Sequence, residues 1–236
     1  MRVIVGTSGY SYKEWKGTFY PADLPAAKML SFYAGHFSTV EINNSFYRMP
    51  DAKTVAKWAG EVPDGFTFVL KAPQRITHQK KLADAGDDVR HFFEVAAELG
   101  PRLGPVLFQL PPFLKKDAQR LRDFLRILPR ERQVGFEFRN ATWFDEETYS
   151  LLREHNAALC AADTDETPDP EAVLVPTASW DTCGCAAPNT RPATWGSGQN
   201  ASSASHGTPR SCSSNMRMRG RDRCLRRSSW GGWRRP

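Results

Sequence analysis

Cysteine is nearly missing from the first three quarters of this 236-residue chain: residues 1–180 hold only Cys160. A lone thiol excludes a disulfide framework there and fits a reducing compartment. No apolar run approaches the length needed to cross a bilayer, and the opening Met1-Arg2-Val3-Ile4-Val5-Gly6 is too short a run for a signal peptide. The expected protein is therefore cytoplasmic and without a membrane partner. Also missing are His/Cys spacings of a zinc site, a nucleophile elbow and a phosphate-cradling loop ending in lysine. Gly6-Thr7-Ser8-Gly9 lacks the spacing of a dinucleotide fingerprint. No metal and no cofactor are predicted.

The largest deficit lies at the end. Residues 181–236 contain no Val, Ile, Phe, Tyr, Glu or Lys and a single Leu, with ten Arg against Asp181 and Asp222. Those residue types supply cores and helices, so their joint absence excludes a packed domain and predicts a disordered, non-native tail. The segment carries +8, which leaves 22 basic against 24 acidic residues in 1–180. The overall +6 and the pI near 9.2 thus describe the tail and say little about nucleic acid. Cys183-Gly184-Cys185 falls in this segment and is not read as a zinc or redox motif.

What is present is alternation. Short β-rich runs at 3–5, 38–42, 66–70, 106–110, 133–138 and 157–162 read as strands. Amphipathic stretches at 26–36, 51–60, 86–99, 118–128 and 146–155 read as helices, the second capped by Asp51. Strand–helix alternation of this kind predicts parallel βαβ units, and without a dinucleotide motif a barrel is favoured over a doubly wound sheet.

Several segments carry a resemblance. Gly6-Thr-Ser-Gly-Tyr-Ser11, Phe19-Tyr-Pro21, Val40-Glu-Ile-Asn-Asn-Ser-Phe-Tyr47, Lys71-Ala-Pro73, Ile76-Thr-His78, Gly104-Pro-Val-Leu-Phe-Gln-Leu-Pro-Pro112 and Phe136-Glu-Phe-Arg139 resemble, in order, the YecE-like family, the domain of unknown function 72. The resemblance implies a TIM-type (β/α) barrel over residues 1–180, with no established reaction, and stops near Trp180. Combining the last base of each codon with the first two of the next, from Trp180 onward, permits Gly-Tyr-Leu-Arg-Leu-Arg-Arg-Thr-Glu-Tyr, an alternating strand similar to the family's seventh. Residues 211–220 likewise permit an apolar strand similar to its eighth. The expectation is a barrel truncated after about six βα units, followed by an out-of-frame tail over 181–236.

In such barrels chemistry sits at the C-terminal ends of the strands. Reading those ends yields Glu41, Glu137 and Asp163 as proton-transfer candidates, and Thr7, Ser8, Asn43, Lys71, Gln109 and Arg139 as binding candidates, with His78 in the loop after the third strand. Carboxyls and cations converging in one mouth can tune one another for acid–base work, and Lys71 or Arg139 can hold an anionic group. The bland alternative is that Glu41 and Glu137 only ion-pair with Lys71 or Arg139. Glu41, Glu137 and Asp163 could together approach a metal, but no histidine stands at a matching strand end. The leading reading is a barrel acting on a polar or anionic small molecule. One alternative is a nucleic-acid-binding or processing barrel with Arg75, His78, Lys80 and Lys81 on its rim. Another is a non-functional product lacking strands seven and eight.

Overall fold

The computed structural model describes residues 3–163, 175–185 and 216–219. Eight strands alternate with six helices along the described chain: β1 (Ile4–Ser8), α1 (Met29–Ala34), β2 (Thr39–Ile42), α2 (Asn44–Tyr47), α3 (Ala52–Gly60), β3 (Thr67–Lys71), α4 (Gly86–Ala96), β4 (Leu103–Gln109), α5 (Ala118–Ile127), β5 (Val134–Glu137), α6 (Glu146–Glu154), β6 (Ala158–Asp163), β7 (Asp181–Cys185) and β8 (Met216–Arg219). The first seven strands are neighbours in chain order and run parallel, making a curled, barrel-like sheet. β8 is hydrogen-bonded antiparallel to both β7 and β1.

The helices form where the sequence supplies both a stop for the preceding chain and an apolar stripe. Asp51, Asp117 and Asp145 each accept a hydrogen bond from the backbone N–H three residues on, capping α3, α5 and α6. Leu121, Phe124 and Leu125 of α5 are buried at helical spacing, as are Val89, Phe92 and Ala96 of α4. They pack against the outer face of the sheet, where Phe108 lies 5.2 Å from Phe124 and 5.4 Å from Phe136.

The inner face follows from strand alternation. Val69, Leu107 and Cys160 form a separate small buried cluster, with Ile4 packed on it. This apolar floor fixes the parity of everything above it. Two residues on from Val69 is Lys71, and two on from Leu107 is Gln109; Gln109 pairs in register with Glu137, and Glu41 with Val69. Parallel partners share a face of the sheet, so Glu41, Lys71, Gln109 and Glu137 stand in one ring directly above the floor. Gly6 shows how tightly β1 lies against β2: a Cβ on it would fall 2.1 Å from the Thr39 carbonyl oxygen.

Six strands were expected, and the six agree with the structure to within a few residues at each end. Two more occur where a structureless tail was expected: the backbone of 181–185 continues the parallel order, and that of 216–219 bonds across the remaining gap. The physical reason is that strand pairing is made by main-chain groups, which any residue other than proline supplies, so a sheet edge can recruit a segment whose side chains could never build a core. The rest of the expected tail lies outside the described residues.

Candidate functional site

The C-terminal ends of the strands bring most of the expected residues together. Ser8 closes β1, Lys71 closes β3, Gln109 closes β4 and Glu137 closes β5; Glu41 is the penultimate residue of β2, and Asn43 follows that strand directly. Glu41, Gln109 and Glu137 are 8%, 8% and 6% exposed, so three polar side chains are held in the sheet's interior, where each needs a partner.

Glu41 finds its partner in a short chain of hydrogen bonds. The Asn43 amide donates to Ser8 Oγ at 2.7 Å, and the Ser8 hydroxyl donates to Glu41 Oε1 at 2.7 Å. Burial is the largest influence on Glu41 and raises its carboxyl above the usual range; the Ser8 bond and the Lys71 ammonium pull it down, and the Glu137 charge pushes it further up. Glu137 lives differently. Arg139 Nε donates to its Oε1 at 2.8 Å in an ion pair.

Lys71 has no carboxylate within ion-pair distance among the described residues. Its ammonium sits 5.2 Å from the centre of the Phe46 ring, a cation–π contact. Phe46 comes from α2, a four-residue helix tied to β3 by the Ser45 hydroxyl, which lies 2.7 Å from the Lys71 carbonyl oxygen. Phe46 also meets His78 edge-on, with ring centres 4.9 Å apart. His78 is in a π-helical turn, Arg75–Gln79, a geometry frequent at functional sites. Its Nδ1 is 2.9 Å from the hydroxyl of fully buried Thr77. Burial first, then the charges of Lys71 and Arg139, lower the imidazole's affinity for a proton below the ordinary value.

One residue is not gathered in. Thr7, expected beside Ser8, has the opposite parity on β1: its hydroxyl meets the Tyr33 hydroxyl at 3.0 Å and donates to the Gly9 carbonyl at 2.6 Å, under α1. Asp163 ends β6 as expected, but its side chain lies outside the described residues. Tyr12 was not expected. Its hydroxyl donates to the Ser8 carbonyl at 2.5 Å, and burial first, then the nearby Glu41 charge, make its phenol a weaker acid than usual. The signal for Phe46 was its place one turn beyond a strand end that carries Glu41 and Asn43.

The rim has its own pairings. Arg75 and Lys80 both bind Asp88, at 2.6 and 2.7 Å. Lys81 lies over the exposed ring of Phe113, 5.5 Å from its centre. Two surface grooves lie elsewhere, along α4 and α5, and include none of the ring residues. No set of three His, Cys, Asp or Glu among the described residues is placed to hold a metal ion. No helix among them is long and apolar enough to cross a membrane.

Residues 4–200 match the family described as Protein of unknown function DUF72, a match reaching past Trp180. The chain is 36% identical over 127 residues to the UPF0759 protein YecE of Escherichia coli K12, covering 52% of this chain and 47% of that one. It is 29% identical over 163 residues to the UPF0759 protein YunF of Bacillus subtilis, covering 64% and 57%. The chain therefore spans about half the length of the curated relatives it matches. Among solved structures, a DUF72 family protein of Thermotoga maritima superposes with a TM-score of 0.64 at 29% identity, over 74% of this chain and 70% of that one. A DUF72 family protein of Enterococcus faecalis, 20% identical, shares the fold with a TM-score of 0.59 over 73% and 66%.

Proposed function

Taking as premise that the chain belongs to the DUF72 family, we propose that its mouth binds a small molecule carrying an anionic group and moves a proton on it. The carrying observation is Lys71: a half-buried ammonium held over Phe46, with no carboxylate partner among the described residues, beside two buried carboxyl side chains. A cation held in that way is matched by a ligand's negative charge.

The two carboxyls take different roles because their surroundings differ. Glu41, buried and bonded by a neutral hydroxyl, holds a proton more tightly than an ordinary carboxyl and is the donor. Its Oε1 accepts from Ser8, which leaves Oε2 to carry the proton toward the ligand. Glu137, ion-paired with Arg139, is the proton acceptor. Asn43 and Ser8 orient Glu41, Gln109 presents an amide between them, and Arg139 joins Lys71 in holding the anion. This chemistry belongs to a cytoplasmic protein, in keeping with the single thiol of residues 1–180.

The test is binding of glycerol 2-phosphate to the 236-residue chain by calorimetry, with Lys71→Ala beside it. A charge-assisted hydrogen bond contributes about 1.5–3 kcal/mol, so the substitution is expected to weaken binding about tenfold or more. Equal affinity in the two proteins would remove Lys71 from the site.

The fold of this chain is read as a TIM-type barrel whose last two βα units are encoded out of frame. β8 supports this: in a (β/α)8 barrel all strands run parallel, whereas Met216–Arg219 runs antiparallel to both neighbours. Sequencing the gene across the Trp180 codon tests it. An intact frame there, with independent relatives carrying the same tail, would sink the idea. The reading as a non-functional product stands or falls with the same result. The nucleic-acid reading loses support at the rim, since two of its four basic residues, Arg75 and Lys80, are already paired with Asp88.

A further inference from the structure

Among the described residues, His78 is the histidine that touches the ring through Phe46, and its surroundings give it a job distinct from that of the carboxyls. Three features converge on it. Phe46 fixes one edge of the ring, the Thr77 hydroxyl engages Nδ1, and the π-helical turn carries it over the end of β3. Among the described residues Nε2 has no hydrogen-bond partner. We propose that His78 is the charge-matching member of the anion site: it takes up a proton when a dianion lands on Lys71 and Arg139, so the site selects phosphate monoesters over carboxylates and phosphodiesters. This rests on the reading that Lys71 and Arg139 hold an anion.

The argument is electrostatic. The charges facing His78 are Lys71 from the end of β3 and Arg139 from beyond β5, the latter paired with Glu137. On its own turn, Arg75 and the adjoining Lys80 are directed to Asp88, and Lys81 lies over Phe113. α2 contributes only the uncharged Phe46. Lys71, Arg139 and the Glu137 carboxylate sum to one positive charge, so in the empty site a proton on His78 would add a second in a half-buried place. A monoanion cancels the one; a dianion leaves a negative excess that a proton on His78 balances, and also offers an acceptor oxygen. The proton comes from solvent. With it, Nδ1–H donates to Thr77 Oγ1 and Nε2–H donates to the ligand, and no covalent bond in protein or ligand breaks.

Linkage fixes the sign. Because the bound state holds a proton that the free state lacks, affinity for the dianion rises as pH falls toward the range in which free His78 titrates. It falls again below about pH 6, where a phosphate monoester itself takes up a proton. A phosphodiester, with one charge, draws little proton uptake.

The experiment is a histidine-ring NMR titration of the 236-residue chain, with the His78 resonance assigned through His78→Gln. Its midpoint is followed alone and with saturating glycerol 2-phosphate, dimethyl phosphate or acetate. Glycerol 2-phosphate is expected to raise the midpoint by about one pH unit, a tenfold gain in proton affinity; the two monoanions are expected to move it by much less. His78→Gln is expected to flatten the rise in glycerol 2-phosphate affinity between pH 8 and about 6.5. If glycerol 2-phosphate binds in a Lys71-dependent way and leaves the His78 midpoint in place, the inference is overturned and the anion site stands. If no anion binds at all, the anion site itself falls, and the inference with it. A shift of the same size with dimethyl phosphate would overturn the preference for monoesters.

Discussion

Trp143→Ala is expected to lower the stability of the folded chain by about 3–5 kcal/mol, the usual loss for deleting a buried aromatic. For a domain whose whole margin is about 5–15 kcal/mol, that removes from about a fifth to all of it. Trp143 is 1% exposed and stacks on Phe138, with ring centres 4.8 Å apart and planes 12° from parallel. Its indole N–H donates to the Leu114 carbonyl at 2.8 Å, so one side chain joins the loop after β5 to the loop after β4. Asn140 reinforces the joint by donating to the Pro112 carbonyl at 2.6 Å. Trp143→Phe separates the two contributions. It keeps most of the packing but orphans the Leu114 carbonyl, and is expected to cost about 1–3 kcal/mol. Urea denaturation followed by circular dichroism reads both variants, and a Trp143→Ala midpoint close to that of the parent would contradict this account.

Arg139→Ala is the second large effect, for a different reason. It leaves the Glu137 carboxylate, 6% exposed, without its guanidinium. Breaking a buried ion pair by removing one partner costs about 3–5 kcal/mol. The lower end, about 3 kcal/mol at neutral pH, applies here because the Arg139 side chain is 24% exposed and partly screened. Adding Glu137→Gln to Arg139→Ala removes the stranded charge and is expected to recover much of the loss at pH 7, as a double-mutant cycle would show. A double variant no more stable than Arg139→Ala would mean that Arg139 acts through packing alone.

Most of this arrangement was legible in the residues. Apolar β-rich runs mark strands strongly, and each polar residue that interrupts such a run near its end is placed by alternation, which is how Glu41, Lys71, Gln109 and Glu137 could be named in advance. Thr7 was misplaced because β1 was read as ending at Val5, so Thr7 and Ser8 both counted as loop. The strand in fact runs to Ser8, and alternation admits only one of the pair to the interior. α2 and the π-helical turn at Arg75–Gln79 were not legible, since four or five residues are too few to display a helical period. The contribution of Phe46 depended on that hidden helix. Tyr12 was missed because its contact with Ser8 spans a loop with no periodic pattern. β7 and β8 lay beyond reach for another reason: backbone pairing leaves no mark on composition.

The floor of Ile4, Val69, Leu107 and Cys160 has one more implication. On the proposed function, a ligand held above this apolar base leaves by the side it entered, so a product that resembles its substrate would compete with it for the way in.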